Sequence, residues 1–140
     1  MTVSWEGEYG NAGDMGMQNA GRDDPITGTI IECIIEVHRT LGPGFLESVY
    51  RNALEIELKR HKLQVDREKD LTILYDGEIV GRHRLDLVVE NTVVIELKTV
   101  ETLSKAHYAQ IRSYLAASGM KLGLLVNFSA FKADFRRVNV

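Results

Sequence analysis

Three residues stand closest to a chemistry: Asp86 in Leu85-Asp86-Leu87-Val88-Val89, and Glu96 with Lys98 in Val93-Val94-Ile95-Glu96-Leu97-Lys98. Both acids interrupt apolar, β-prone runs where propensity alone would not place them. Side chains alternate along a strand, so Glu96 and Lys98 share one face while Ile95 and Leu97 share the other. The short Glu90-Asn91 turn between the runs sets the strands antiparallel and adjacent, which brings Asp86 near Glu96. Two such carboxylates suit a hard divalent cation such as Mg²⁺, which prefers oxygen ligands and keeps some of its waters. A cation there stabilises charge on a phosphate oxygen and lowers the pKa of a bound water. A neighbouring lysine stabilises the attacking hydroxide or the developing negative charge. These are the parts that phosphodiester hydrolysis needs. The same residues would also make an ordinary cross-strand ion pair on a solvated face, and spacing alone leaves both readings open.

Further residues are candidates for the same surface. Glu47 falls in the first turn of a predicted helix, where the positive end of the helix dipole favours an acid with or without a site. Gln110 and Tyr114 lie four apart on another predicted helix and so share a face, with His107 one turn before. Tyr114 taken alone reads as a core or boundary residue, and His107 as a histidine that is merely exposed or hydrogen-bonded as readily as a functional one. Arg82 and Arg84 alternate onto the strand face that carries Asp86, where a polyanion would lie. Lys105 and Arg112 flank the helix of Gln110, whereas Lys59 to Lys62 and Arg136-Arg137 read as solvated ends.

In this order the residues resemble a known family. Asp86, followed ten residues on by Glu96-Leu97-Lys98, is similar to the D…(E)XK signature of the PD-(D/E)XK nuclease superfamily. Gly44-Phe45-Leu46-Glu47-Ser48-Val49-Tyr50 resembles the G-x-x-E-x-x-Y motif that names the GxxExxY family, a branch of that superfamily. Val37-His38-Arg39-Thr40-Leu41-Gly42-Pro43-Gly44 and Gly123-Leu124-Leu125-Val126-Asn127-Phe128 are similar to the same family, so the resemblance covers about residues 26 to 139. The proline of the superfamily's older motif is absent, since Arg84-Leu85-Asp86 stands where a Pro-Asp pair would be. The resemblance implies a metal-dependent nuclease on a restriction-endonuclease-like core. In it Asp86, Glu96 and Glu47 hold Mg²⁺ or Mn²⁺, and Lys98 is catalytic. The Gln110-x-x-x-Tyr114 spacing resembles a motif of exonuclease-type members, which implies that Gln110 helps position the scissile region and Tyr114 supports contact with DNA. Arg84 joins Tyr114 as a substrate-binding expectation. The expected partner is nucleic acid, DNA ahead of RNA, with a homo-oligomer or a separate targeting partner as further expectations. A non-catalytic nucleic-acid-binding or protein-interaction module on the same fold is the alternative.

Positioning these residues requires an α/β domain. Helical periodicity begins at Pro25, with Asp24 as cap and proline at the first helical position. Ile30, Cys33, Ile34, Val37 and Leu41 form one apolar stripe, widened by Ile31, Ile35 and His38. Gly42-Pro43-Gly44 breaks the helix. A second helix is predicted from Leu46 to Lys62. Strands are predicted at Leu71 to Tyr75, across the Asp76-Gly77 hairpin signal at Glu78 to Gly81, at Arg82 to Val89, and at Thr92 to Val100. A third helix spans Ser104 to Ser118 and stops at Gly119. Leu122 to Phe128 reads as a buried strand, and Arg136 to Val140 as an edge strand. The order gives a mixed central β-sheet flanked by α-helices, two of them N-terminal.

The chain has 140 residues, 44% of them hydrophobic and 26% charged, which suits one globular domain. Its formal net charge of -3 argues against coating nucleic acid through bulk positive charge. The deficit is local. Glu6, Glu8, Asp14, Asp23 and Asp24 oppose only Arg22 in residues 1–25, leaving 16 basic and 15 acidic side chains in residues 26–140. Residues 1–24 also hold Gly7, Gly10, Gly13, Gly16 and Gly21, so a flexible acidic tail is expected there, ahead of a domain over 25–140. One cysteine, Cys33, excludes an internal disulfide and a multi-cysteine zinc site and reads as a buried apolar residue. No run approaches a membrane span, and no signal-peptide pattern opens the chain, so a cytoplasmic location away from membranes is expected. Phe128, Phe131 and Phe135 read as core or as a self-association patch.

Overall fold

The computed structural model describes residues 24–140. The Gly-rich acidic segment lies outside the described residues, apart from Asp24. That residue caps the first helix, α1 (Pro25–Leu41): its Oδ1 accepts from the Ile26 N–H at 3.1 Å, and Pro25 sits at the first helical position. Ile30, Cys33, Ile34, Val37 and His38 are buried along one side, and Gly42 closes the helix at φ 68. The second helix, α2 (Glu47–Arg60), packs against α1 and buries Tyr50, Leu54 and Leu58.

Five strands follow in the order β1 (Val65–Tyr75), β2 (Glu78–Val89), β3 (Val93–Lys98), β4 (Leu122–Asn127) and β5 (Asp134–Asn139). They form one sheet in that same order, antiparallel throughout except for the parallel pair β3/β4. A parallel pair needs a crossover, and α3 (Lys105–Ser118) supplies it. Both hairpin turns use positive φ. Asp76 and Gly77, the two residues between β1 and β2, stand at φ 50 and 77, the positive values that a primed turn requires, and in the three-residue connection between Val89 and Val93 Glu90 and Asn91 both stand at φ 53.

The predicted elements differ from these at their edges. β1 begins at Val65, not Leu71, because the charged run Asp66 to Asp70 is carried into the sheet by pairing with β2. It lies on the sheet's edge, where charged side chains are tolerated and discourage edge-to-edge association. β2 is one strand through Gly81, not two. β3 stops at Lys98, where the Lys98 carbonyl accepts from the Phe128 N–H at 3.0 Å.

The helices divide between the sheet's two faces. Leu87, Val89, Val93, Ile95, Leu97, Leu124 and Val126 pack with α1 and α2, while Leu85, Val88, Val94, Leu125 and Val138 pack with Ile111 and Leu115 of α3. Leu85 and Leu87 are two apart on one strand yet lie on opposite faces. Strict alternation would put them on the same face, so it breaks at the residue between them, Asp86. Phe128 and Phe135 are in the core, and Phe131 is exposed. Among the described residues, no helix is long and apolar enough to cross a membrane.

Gly123 sets how closely α3 approaches the sheet. A Cβ there would stand 2.8 Å from Ile111 Cδ1 and 3.3 Å from Leu115 Cδ1. Gly123→Val is therefore expected to overpack this contact and lower the free energy of unfolding by about 1–3 kcal/mol, read from a urea titration. Wild-type stability in that variant would contradict the packing.

Candidate active site

The β2/β3 ladder runs from Val89↔Val93 to Leu87↔Ile95, and continuing the register places Asp86 opposite Glu96. At that point the two carboxylates take over from the backbone. The Asp86 N–H donates to Glu96 Oε1 at 3.3 Å, and the Leu97 N–H donates to Asp86 Oδ2 at 2.9 Å. Each acid thus commits one oxygen to the neighbouring strand's backbone, leaving Asp86 Oδ1 and Glu96 Oε2 for other partners. Lys98 Nζ donates to Gln110 Oε1 at 3.0 Å, which ties the end of β3 to α3. The antiparallel apposition expected from the sequence is what the fold provides.

Glu96 is only 4% exposed. Burial pushes its carboxyl up to about 8, and the charge of Asp86 adds to the rise. The Asp86 N–H and the Lys98 ammonium oppose that shift, while Glu47 reinforces it. Glu47 is raised as well, by burial and then by Asp86, with Lys98 and Arg51 opposing. Three acids from α2, β2 and β3 therefore interact across one surface. Tyr114 joins them: burial and then the charge of Glu96 raise its hydroxyl.

The Gly44–Glu47–Tyr50 segment delivers the acid of α2. Gly44 stands at φ 113, which L side chains rarely adopt. The buried Tyr50 hydroxyl donates to the Gly42 carbonyl and accepts from the Phe45 N–H at 3.1 Å, while its ring stacks on Phe128 with centroids 4.6 Å apart. Tyr50 thus clasps the loop that leads into Glu47, since α2 lacks a side-chain cap of its own. Tyr50→Phe is expected to orphan both backbone groups and destabilise the fold by about 1–3 kcal/mol. Unchanged thermal unfolding would show that the clasp contributes nothing.

The other sequence candidates separate. Gln110 is at the site through Lys98. Tyr114 is at its edge, stacked on His83 with ring centroids 3.9 Å apart. Arg84 is not drawn to the carboxylates: it pairs with Asp70 on β1 at 3.6 Å, and both side chains are largely exposed. His107 completes a capping box at the start of α3, its Nδ1 accepting from the Ser104 N–H at 2.9 Å. The burial of Cys33 agrees with its apolar sequence context and raises its thiol to about 12. Two neighbours of the site are not evident from the sequence. His83 has its Nε2 buried and unpartnered among the described residues. Arg51 lies 3.7 Å from Asp86 Oδ1. Its spacing is the available signal, since it follows Glu47 by one helical turn.

Among the described residues, no group of three His, Cys, Asp or Glu side chains forms a ready-made metal cage. The donor chemistry still fits a hard cation. Two adjacent carboxylates repel, and one holds its proton because of burial and the other's charge. A dication would relieve both the repulsion and the cost of burying the ionised acid. Mg²⁺ commonly binds through one or two carboxylates with water and phosphate completing its shell.

Residues 24–138 match the PD-(D/E)XK nuclease superfamily. No curated protein matches the chain. The fold is similar to the crystal structure of SSO0001, with TM-score 0.54 and 23% identity over 66% of this chain and 50% of that one. The chain therefore spans half the length of that protein. An alkaline exonuclease from Laribacter hongkongensis also aligns, with TM-score 0.43 and 14% identity over 92% of this chain and 74% of that one.

Proposed function

Because this chain belongs to the PD-(D/E)XK nuclease superfamily and has its restriction-endonuclease-like fold, we propose that it is a metal-dependent nuclease whose centre is Asp86, Glu96 and Lys98. One observation carries the reading: the two acids leave the strand ladder to stand against each other, beside a lysine fixed by Gln110. The GxxExxY branch is the finer assignment, supported by Gly44, Glu47 and Tyr50 acting as one structural unit.

In this reading Asp86 and Glu96 hold Mg²⁺ or Mn²⁺, with Glu47 as the third acid. The cation, when bound, polarises the phosphate and makes a water acidic enough to attack. To hold the cation Glu96 would be ionised, its proton passing to solvent. Lys98 presents an ammonium to the attacking hydroxide and to the charge developing on the phosphate. Gln110 restrains Lys98 Nζ to one direction, which keeps it off the carboxylates and limits the reorganisation needed at the moment of reaction. Tyr114, backed by His83, offers a hydroxyl and a ring edge to the nucleic acid, and Arg84 a phosphate contact further along β2.

The test is cleavage by the full chain of single- and double-stranded DNA and RNA with Mg²⁺, with Mn²⁺ and with chelator. Cleavage of DNA that chelator abolishes is expected. No cleavage of any substrate with either metal would overturn the reading in favour of a non-catalytic module on this fold.

A further inference from the structure

Arg51 is a cation of α2 placed among the site's acids, and neither of its ion pairs is tight. Its NH1 lies 3.7 Å from Asp86 Oδ1 and its NH2 lies 3.5 Å from Glu68 Oε1, both beyond a well-formed charged hydrogen bond. Its Nε is buried without a hydrogen-bond partner among the described residues. The guanidinium is thus shared between two carboxylates and docked fully on neither.

The strands explain why the two acids stand together. The β1/β2 register pairs Arg67 with Leu87 and Lys69 with Leu85 but omits the pair between them, Glu68 and Asp86. Glu68 stands at φ 51, in the left-handed region. The break that removes Asp86 from strand alternation therefore has a matching break at Glu68, and both side chains reach Arg51.

We infer that Arg51 is an affinity-setting residue: its guanidinium serves as the counter-ion of Asp86 until a divalent cation arrives, and then passes to Glu68. This rests on the metal reading of Asp86 and Glu96. Two effects compete when Arg51 is removed. Asp86 loses an orienting partner, yet the 2.9 Å bond from the Leu97 N–H still fixes its Oδ2. The cation also loses a positive neighbour next to one of its ligands, and repulsion between a dication and a guanidinium at this range outweighs the lost orientation. Removal should therefore tighten metal binding. Replacing Glu68 should do the reverse, because Arg51 then has Asp86 alone to neutralise it. A residue that only supports the fold would give the same sign in both variants.

The experiment is calorimetric titration of the full chain with Mn²⁺, alongside thermal unfolding in chelator. The wild type should bind and Asp86→Asn should not, which tests the metal reading by itself. Given that result, Arg51→Met is expected to bind Mn²⁺ roughly tenfold more tightly while melting at a lower temperature without metal. Glu68→Gln is expected to bind severalfold more weakly, and Arg51→Lys to retain wild-type affinity within about threefold. If Arg51→Met does not fold, the weakened binding of Glu68→Gln against the near-normal Arg51→Lys decides the matter. Wild-type binding accompanied by weaker or unchanged binding in Arg51→Met overturns the inference and leaves the metal reading standing.

Discussion

Lys98→Ala is expected to slow cleavage by about 10³-fold, while leaving Mn²⁺ binding intact. The lysine ends β3 with its Nζ 3.0 Å from Gln110 Oε1, so its charge is aimed and it contributes no oxygen to a metal. Losing an aimed cation removes stabilisation realised only as charge develops, which lowers turnover without weakening binding of metal or nucleic acid. Gln110→Ala should show the same pattern with a smaller loss of about tenfold, because the lysine survives and only its direction is released. Single-turnover cleavage rates, paired with calorimetry for the metal, separate these effects. A Lys98→Ala variant that cleaves at the wild-type rate would remove the lysine from the chemistry.

The second large effect concerns pH. Glu96 has an ordinary value of 4.5 and is raised to about 8 in the fold, by burial and then by Asp86. Between those two values the native chain holds a proton that the unfolded chain has released, so stability falls as pH rises through the window. The full difference is on the order of 3–5 kcal/mol. In chelator the melting temperature should therefore fall steadily from about pH 5 to pH 8. Glu47 is raised too and steepens the same trend. Glu96→Gln is expected to flatten most of the slope, matching wild type near pH 5 and exceeding it near pH 8. Adding Mn²⁺ should reverse the trend, because the cation binds the ionised pair and its hold strengthens with pH. A wild-type profile flat over this range, or one unchanged by Glu96→Gln, would contradict the burial and pairing of these carboxylates.

The gross architecture is legible in the sequence because each element carries its own signal. Pro25 behind Asp24, the Gly42-Pro43-Gly44 break, Asp76-Gly77 and Gly119 mark the ends of elements, and apolar periodicity marks their inner faces. The meeting of Asp86 and Glu96 follows from a short turn between two strands. What alternation does not provide is the local break at Asp86. It depends on a left-handed Glu68 across the sheet and a guanidinium from another element, and both are tertiary contacts between residues distant in sequence. The same break explains Arg84, which alternation aligns with Asp86 but which pairs with Asp70 on the exposed arm. The early start of β1 is hidden for a related reason: a run of charges has no apolar pattern, and only pairing with β2 makes it a strand. Tyr114 does stand near the site, as its spacing from Gln110 predicts, yet its stacking partner His83 belongs to a face that strand periodicity does not assign.

The most direct test of a metal-dependent nuclease centred on Asp86 and Glu96 presents one end-labelled DNA duplex to the wild-type chain and to Glu96→Ala. The two are compared side by side, with Mn²⁺ and with chelator. The expected result is cleavage by the wild type in Mn²⁺, none in chelator, and none by Glu96→Ala under either condition. Cleavage by Glu96→Ala at the wild-type rate would contradict it.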